Sequence, residues 1–193
     1  MAGEIEFPGS LETRNLELRP YASVDAPALL ALIDGNRERL RQSFAPIAKD
    51  VVRTTDADAF VDGSADKWTS RKEFVYGIWY KLSKELIGQI KAKSIVWDIP
   101  AAELSYFICQ SSQRRGFATE AITAVLRAAF ADMHFKRICL RIIASNTESL
   151  LLAEKLGFER EGLHRNEFRC GFNELHDVYH YSLTSDDHLP QAS

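Results

Sequence analysis

Apolar residues recur along this chain with two periods, and the change from one to the other marks its elements. NLELR (15–19) alternates and predicts a first strand. From Asp25 the spacing lengthens: DAPALLALIDGN sets apolar residues three and four apart, accommodates Pro27 in its first turn, and predicts a helix. NRERLRQSF (36–44) continues helically and is expected to stop before Pro46. Residues 54–72 are mostly polar with Phe60, Val61 and Trp68 spaced along them, the pattern of another helix with a loose end.

The middle of the chain then turns to strands. FVYGIWY (74–80) and ELIGQIKAKSIVW (85–97) form an antiparallel pair across KLSK, and after the break WDIPAA a third strand, ELSYFIC, covers 103–109. A long helix runs from Gly116 with a stripe of Phe117, Ala121, Val125 and Ala129, widened by Ile122 and Leu126. ICLRIIA (138–144) reads as a buried strand, and 147–156 as a shorter helix with Gly157 at its left-handed stop. DVYHYSL closes the pattern as a last alternating strand. Consecutive strands between helices predict an α/β domain with a mixed sheet and helices on both faces, and fit a purely parallel sheet less well.

Composition narrows the functional classes. The 193 residues suffice for one domain with a substantial core, and 46% hydrophobic with 26% charged residues excludes wholesale disorder. A formal charge of -3 argues against a general nucleic-acid binder. The three cysteines, Cys109, Cys139 and Cys170, form no CxxC pair, so neither a disulfide framework nor a zinc knuckle is expected. MAGEIEFPGS has no apolar signal-peptide region, and no apolar run approaches the ~18–20 residues that cross a bilayer. A cytoplasmic protein with no membrane partner is the expectation.

Against that acidic background QRRG (113–116) stands out, at a helix entrance preceded by a strand and a short polar loop. The first amides of a helix, here those of Phe117, Ala118 and Thr119, lack intrahelical partners and carry the positive end of the dipole. Gly116 lets a ligand approach the backbone, and Arg114 and Arg115 add guanidinium forks suited to phosphate oxygens. A surface helix start that merely carries two arginines is the competing reading. GxxxxGK[ST] and GxGxxG are both absent, which removes the usual nucleotide-hydrolase and dinucleotide sites.

QRRGFA resembles the Q/R-x-x-G-x-G/A signature of the GNAT acetyltransferase superfamily, and SNTESLLLAEKLGFEREG (145–162) resembles that family's strand–Asn–helix–GF–EG run. TRNLELRPY, NRERLRQSF, AELSYFI and HDVYHYSL extend the match, and their order is similar to the Rim-type N-terminal acetyltransferases of ribosomal proteins. The resemblance implies a single GNAT-like domain over 13–184 with a mostly antiparallel sheet, between flexible segments 1–12 and 185–193. It implies acetyl-CoA as co-substrate, its diphosphate on Gln113, Arg114, Arg115 and Gly116, and its pantetheine arm on the main chain of Phe107 and Ile108. The thioester is expected beside the strand ending at Cys109, where a splayed backbone N–H binds the developing oxyanion. Relatives are often homodimers, so a homodimer is expected.

The second constellation opens the later helix. Asn146 and Ser149 lie three residues apart and share a face of its first turn. Capping is one reading of Asn146, and a cap can also touch the cofactor, so Asn146 and Ser149 are both expected beside acetyl-CoA. A serine hydroxyl can give a departing thiolate its proton, the role that the resemblance carries over to Ser149. Glu103 and Glu167 are the candidate bases by the same resemblance, although an α-amine, with a reference pKa near ~8, needs little help. His176 and His180 have the spacing of zinc ligands on a helix, but on an alternating strand they stand far apart, so no metal is expected. Cys109 has no activating histidine in sequence and is expected to be core. The expected reaction is direct acetyl transfer through a tetrahedral intermediate to a primary amine, a protein N-terminus before a small amine. A regulatory module that binds acetyl-CoA without transferring it is the remaining alternative.

Overall fold

The alternating segments become the strands of one sheet in the computed structural model, which describes residues 7–188. They are β1 (Leu11–Glu12), β2 (Leu16–Arg19), β3 (Phe74–Tyr80), β4 (Glu85–Val96), β5 (Ala101–Ile108), β6 (Arg137–Ile143), β7 (Glu159–Arg169) and β8 (Leu175–Thr184). Among the described residues the sheet has eight strands in the order β1-β2-β3-β4-β5-β6-β8-β7. Every neighbouring pair is antiparallel except β5 and β6. The helices are α1 (Ala26–Asp34), α2 (Arg37–Ser43), α3 (Ala45–Asp50), α4 (Thr54–Thr69), α5 (Phe117–Arg127), α6 (Thr147–Lys155) and α7 (Ser185–His188). No helix among the described residues is long and apolar enough to cross a membrane.

Pleating sends alternate β3 residues to opposite faces. Tyr80 meets Phe117 of α5 on one face, with ring centroids 5.0 Å apart. Gly77 faces the other side, where the Tyr21 ring presses close against it and Phe60 of α4 lies 6.2 Å from Tyr21. Helices thus cover both faces, as the pattern predicts.

α2 stops before Pro46, as expected, and the same proline starts α3, because a proline in a helix's first turn lacks only an N–H that would have no partner there. Within the segment 1–12, expected to be flexible, the Phe7 ring is buried 4.2 Å from Phe74 and 5.7 Å from Phe135, and Leu11 pairs with Leu18. At the other end 185–188 forms a helical turn, its start fixed by Asp187 accepting from the Thr184 N–H at 3.0 Å. Residues 1–6 and 189–193 of those two flexible calls lie outside the described residues.

The feature that positions the site is a parting in the sheet. β5 and β6 pair in parallel only from Ala101↔Arg137 to Leu104↔Leu140. Beyond that point β5 stays with β4 as far as Ile108↔Gly88, while β6 stays with β8 as far as Ile143↔Val178. The two strands diverge and leave a gap. At its far edge β4 presses so closely on β5 that a Cβ on Gly88 would stand 2.3 Å from the Phe107 carbonyl oxygen, so only glycine fits.

The entrance of α5 is anchored from behind by Glu120. Its carboxylate accepts from Thr13 Oγ1 at 2.6 Å, from the Asn15 N–H at 2.7 Å and from Asn15 Nδ2 at 2.9 Å. Burial pushes its pKa up, but the Asn15 and Thr13 hydrogen bonds outweigh burial and hold the carboxyl below its ordinary value. The folded chain therefore binds this proton less readily than the unfolded one. Its stabilisation is full above the unfolded carboxyl's range, about pH 5, and fades as pH falls through the lower folded value. Glu120→Gln should cost about 1–3 kcal/mol at pH 7. Thermal melts from about pH 7 to 3 should show the gap to the parent chain closing toward the acid end.

Candidate active site

Two cavities meet at the parting. The larger, about 820 Å³, runs from the mouth of α5 to the first turn of α6. The smaller, about 420 Å³, lies between β4, β5, α3 and α4 and reaches across to β6. Ser43, Phe44, Tyr106, Ile143, Asn146 and Ser149 line both, so they mark the passage from one to the other.

The mouth of α5 is built for close approach. Gly116, its N-cap, sits at φ 81° and ψ -3°, the left-handed region, and no side chain caps the helix. A Cβ there would meet nothing within 4 Å, so the glycine is required by backbone conformation and leaves the entrance bare. Arg114 is left-handed too, at φ 59°. The amides of Phe117, Ala118 and Thr119 lack intrahelical acceptors, and these residues line the larger cavity with Gln113, Arg114 and Gly116. Arg114 reaches across the mouth to Glu148 on α6 at 3.0 Å, both side chains exposed. Arg115 turns elsewhere: it lies over the rings of Tyr80 and Phe117 at 4.9 and 4.7 Å and donates to Tyr80 Oη at 3.2 Å.

Along β5 the backbone is open toward the gap. The Cys109 N–H donates to the Ile87 carbonyl at 2.7 Å, which fixes the odd-numbered residues' main chain on β4. Alternation then turns the N–H and C=O of Tyr106 and Ile108 toward the gap. The Ile108 carbonyl accepts from Arg39 Nη2 there, at 2.6 Å. Phe107 lines the larger cavity while its main chain faces Gln89, and Cys109, buried with Sγ 3.3 Å from Ser111 Oγ, does not line it.

At the junction Asn146 caps α6, its Oδ1 accepting from the Ser149 N–H at 3.2 Å. The capping role holds, and the side-chain amide still borders both cavities. The α6 stop falls as the sequence predicts, with Gly157 at φ 84°, its N–H on the Glu154 carbonyl and that of Phe158 on Ala153. Beside Ser149 lies Tyr106, which sequence reasoning passed over as one more aromatic in a strand. Its hydroxyl oxygen is buried and has no well-formed hydrogen bond. Burial pushes its pKa up, and the neighbouring Ser149 hydroxyl opposes part of that shift.

The two candidate bases separate. Glu103 lines the smaller cavity, between Lys93 Nζ at 3.0 Å and Arg141 Nη1 at 3.9 Å. Glu167 lines neither cavity: Arg141 Nη2 holds one oxygen at 3.1 Å and His180 Nε2 the other at 2.7 Å. Burial would raise the Glu167 pKa, but the His180 hydrogen bond and the Arg141 charge hold it below its usual value. His176 and His180 serve different neighbours, His176 lying 3.7 Å from Glu174 while His180 stacks on His164 at 3.9 Å.

Comparison with known proteins agrees with this geometry. Residues 15–159 match the family model described as acetyltransferase (GNAT) domain. A Bacillus subtilis protein described as a probable N-acetyltransferase, YjcK, is 27% identical over 171 residues, covering 87% of this chain and 94% of its own. The uS5-alanine N-acetyltransferase of Escherichia coli is 30% identical over 118 residues, 61% of this chain and 60% of its own. The structure of Mycobacterium smegmatis RimJ in complex with a CoA disulfide superposes with a TM-score of 0.83 at 21% identity, over 95% of this chain and 89% of that one. Parted strands, an uncapped helix mouth and a family model that spans well over half of the sequence lead to one statement: this chain belongs to the GNAT acetyltransferase family.

Proposed function

We propose that the chain transfers an acetyl group directly from acetyl-CoA to an α-amine at a protein N-terminus. The observation that carries the reading is the passage between two cavities, one opening on uncapped amides and the other ending at the same serine and tyrosine. Uncapped N–H groups, Gly116 without obstruction and the Arg114 guanidinium fit a diphosphate. The gap-facing amides of Tyr106 and Ile108 fit the pantetheine arm. When bound, acetyl-CoA supplies an activated acyl group and a thiol leaving group.

The chain's own residues then have limited tasks. A β5 backbone N–H facing the gap stabilises negative charge on the carbonyl oxygen. The amine nitrogen attacks the carbonyl carbon, the carbon–sulfur bond breaks, and the amine's extra proton leaves to water. Ser149, beside the buried Tyr106 hydroxyl, gives its hydroxyl proton to the departing sulfur and recovers one from solvent. Arg141 and Lys93 already engage Glu103, and His180 and Arg141 engage Glu167, so both carboxylates serve here as partners of cations. The acceptor assignment is supported by the E. coli relative, which acetylates a ribosomal protein's alanine.

Free-thiol release from acetyl-CoA, measured across peptides beginning with Ser, Ala and Met and across small amines, tests the reading. Peptide N-termini should be acetylated in preference to simple amines, and tight coenzyme binding with no transfer to any acceptor would instead indicate a regulatory module. Ser149→Ala should lower kcat about 100-fold with unchanged coenzyme affinity. Tyr106→Phe, which removes the hydroxyl beside Ser149, should lower it about 3–10-fold. Gly116→Ala should cost about 1–2 kcal/mol of stability, read as a fall in Tm of roughly 2–8 °C. Calorimetry on that variant should also show weakened coenzyme A binding, because its mouth cannot hold the same backbone angles.

A further inference from the structure

The smaller cavity, which the proposed reading makes the acceptor site, has a charge opposite in sign to the chain as a whole. Lys67, Lys91, Lys93 and Arg141 line it, against Asp50 and Glu103. The whole chain carries 24 Lys and Arg against 27 Asp and Glu, so the cationic lining is not background. Strand alternation produces it: Gln89, Lys91 and Lys93 project from one face of β4 into the space below α3 and α4.

The carboxylates that balance these cations stand mostly behind the wall. Glu73 Oε2 takes Lys67 at 3.1 Å and Lys91 at 3.6 Å, so one oxygen serves two ammonium groups, and Glu73 does not line the cavity. Glu103 is divided between Lys93 and Arg141, and Glu167, the other partner of Arg141, is outside the lining and shared with His180. Asp50 is exposed at the end of α3. Lys91 is the most telling member. Burial lowers its pKa, Glu73 raises it, and Lys93 and Lys67 lower it again. A half-buried ammonium with a shared partner gains when an anion arrives.

Resting on the transferase reading, we infer that the acceptor carries its own negative charge beside the amine, as an N-terminal peptide with Asp or Glu in the positions after its first residue. The lysine wall binds those carboxylates. The same cations disfavour a protonated amine in the cavity, so they lower the acceptor's pKa and help deliver it as the free base. A polycationic amine meets like charge from Lys67, Lys91, Lys93 and Arg141, against only Asp50 and Glu103. The engaged states of Glu103 and Glu167 fit this division of labour, in which positive potential does what a general base would otherwise do.

The test uses the full chain, acetyl-CoA and thiol release with three heptapeptides that share an N-terminal serine and carry acidic, neutral or basic residues at positions two to four. O-phosphoethanolamine and spermidine complete the set. The acidic peptide should exceed the neutral one in kcat/KM by about tenfold, the effect of one good charge-assisted contact, and the basic peptide should fall lower again. The preference should shrink as salt rises from about 0.05 to 0.5 M. Lys91→Gln with Lys93→Gln should remove most of it through KM, with coenzyme binding and the melting curve showing that the variant is folded.

Equal or reversed charge preference, or a preference that survives the double lysine change in the folded variant, overturns the inference and leaves the N-terminal transferase reading standing. Phosphoethanolamine outperforming every peptide would keep the anion and reject the peptide. No transfer to any acceptor would sink both.

Discussion

The whole arrangement depends on one interruption of hydrogen bonding, the parting of β5 from β6 after Leu104 and Leu140. A parallel pair that continued to Ile108 and Ile143 would satisfy its own amides and close the passage. Because each strand keeps a partner on its other side, the gap does not unravel the sheet: β4 holds β5 and β8 holds β6 to their ends. The close β4–β5 approach at Gly88 belongs to the same design, since it keeps β5 committed to β4 where it leaves β6. What remains is a set of backbone groups facing inward without strand partners, the kind of surface that an extended arm with amide groups can complete.

Sequence patterning reached the elements whose faces are unequal. α5 has a continuous apolar stripe and β3 a run of buried aromatic and branched residues, and both were legible. β1 is too short for alternation to register, and β7 is an edge strand exposed along most of its length, so neither gave a hydrophobic signal of its own. α3 was hidden by reading Pro46 as an end when it was also a beginning. The helix entrance at Gly116 and the cap at Asn146 were legible because positive φ and capping are local requirements.

Contacts across the fold were not legible. Arg39 lies on α2, 69 positions before the Ile108 carbonyl it reaches, and nothing in NRERLRQSF distinguishes it from its neighbours. Tyr106 carries no signal of its own in the sequence; only the burial of an unpartnered oxygen beside Ser149 separates it from the other strand aromatics. Glu103 and Glu167 were legible as carboxylates, but their meaning depends on Arg141, which touches both from β6. Charge sign at a site is likewise a three-dimensional property. A chain with net -3 gave no hint that its lysines gather on one wall.

On the proposed reading, the two cavities reach positive potential by different means. At the α5 mouth, positive potential comes from fixed backbone amides and a helix dipole, which need no side chain in place and leave room for a bulky anion. On the inferred reading, in the smaller cavity it comes from lysines anchored by Glu73 behind them and Glu103 beside them, held in position yet available to a visitor. Between the two lies a neutral stretch of hydroxyl and amide groups, Ser43, Tyr106, Asn146 and Ser149, where no charged side chain borders both cavities. On the proposed reading, neutrality matters at that point. A fixed cation there would stabilise a thiolate and remove the need to protonate it, whereas a carboxylate would oppose the charge that builds on the carbonyl oxygen. Hydroxyl groups can donate a proton to sulfur as it leaves and present no charge before it does.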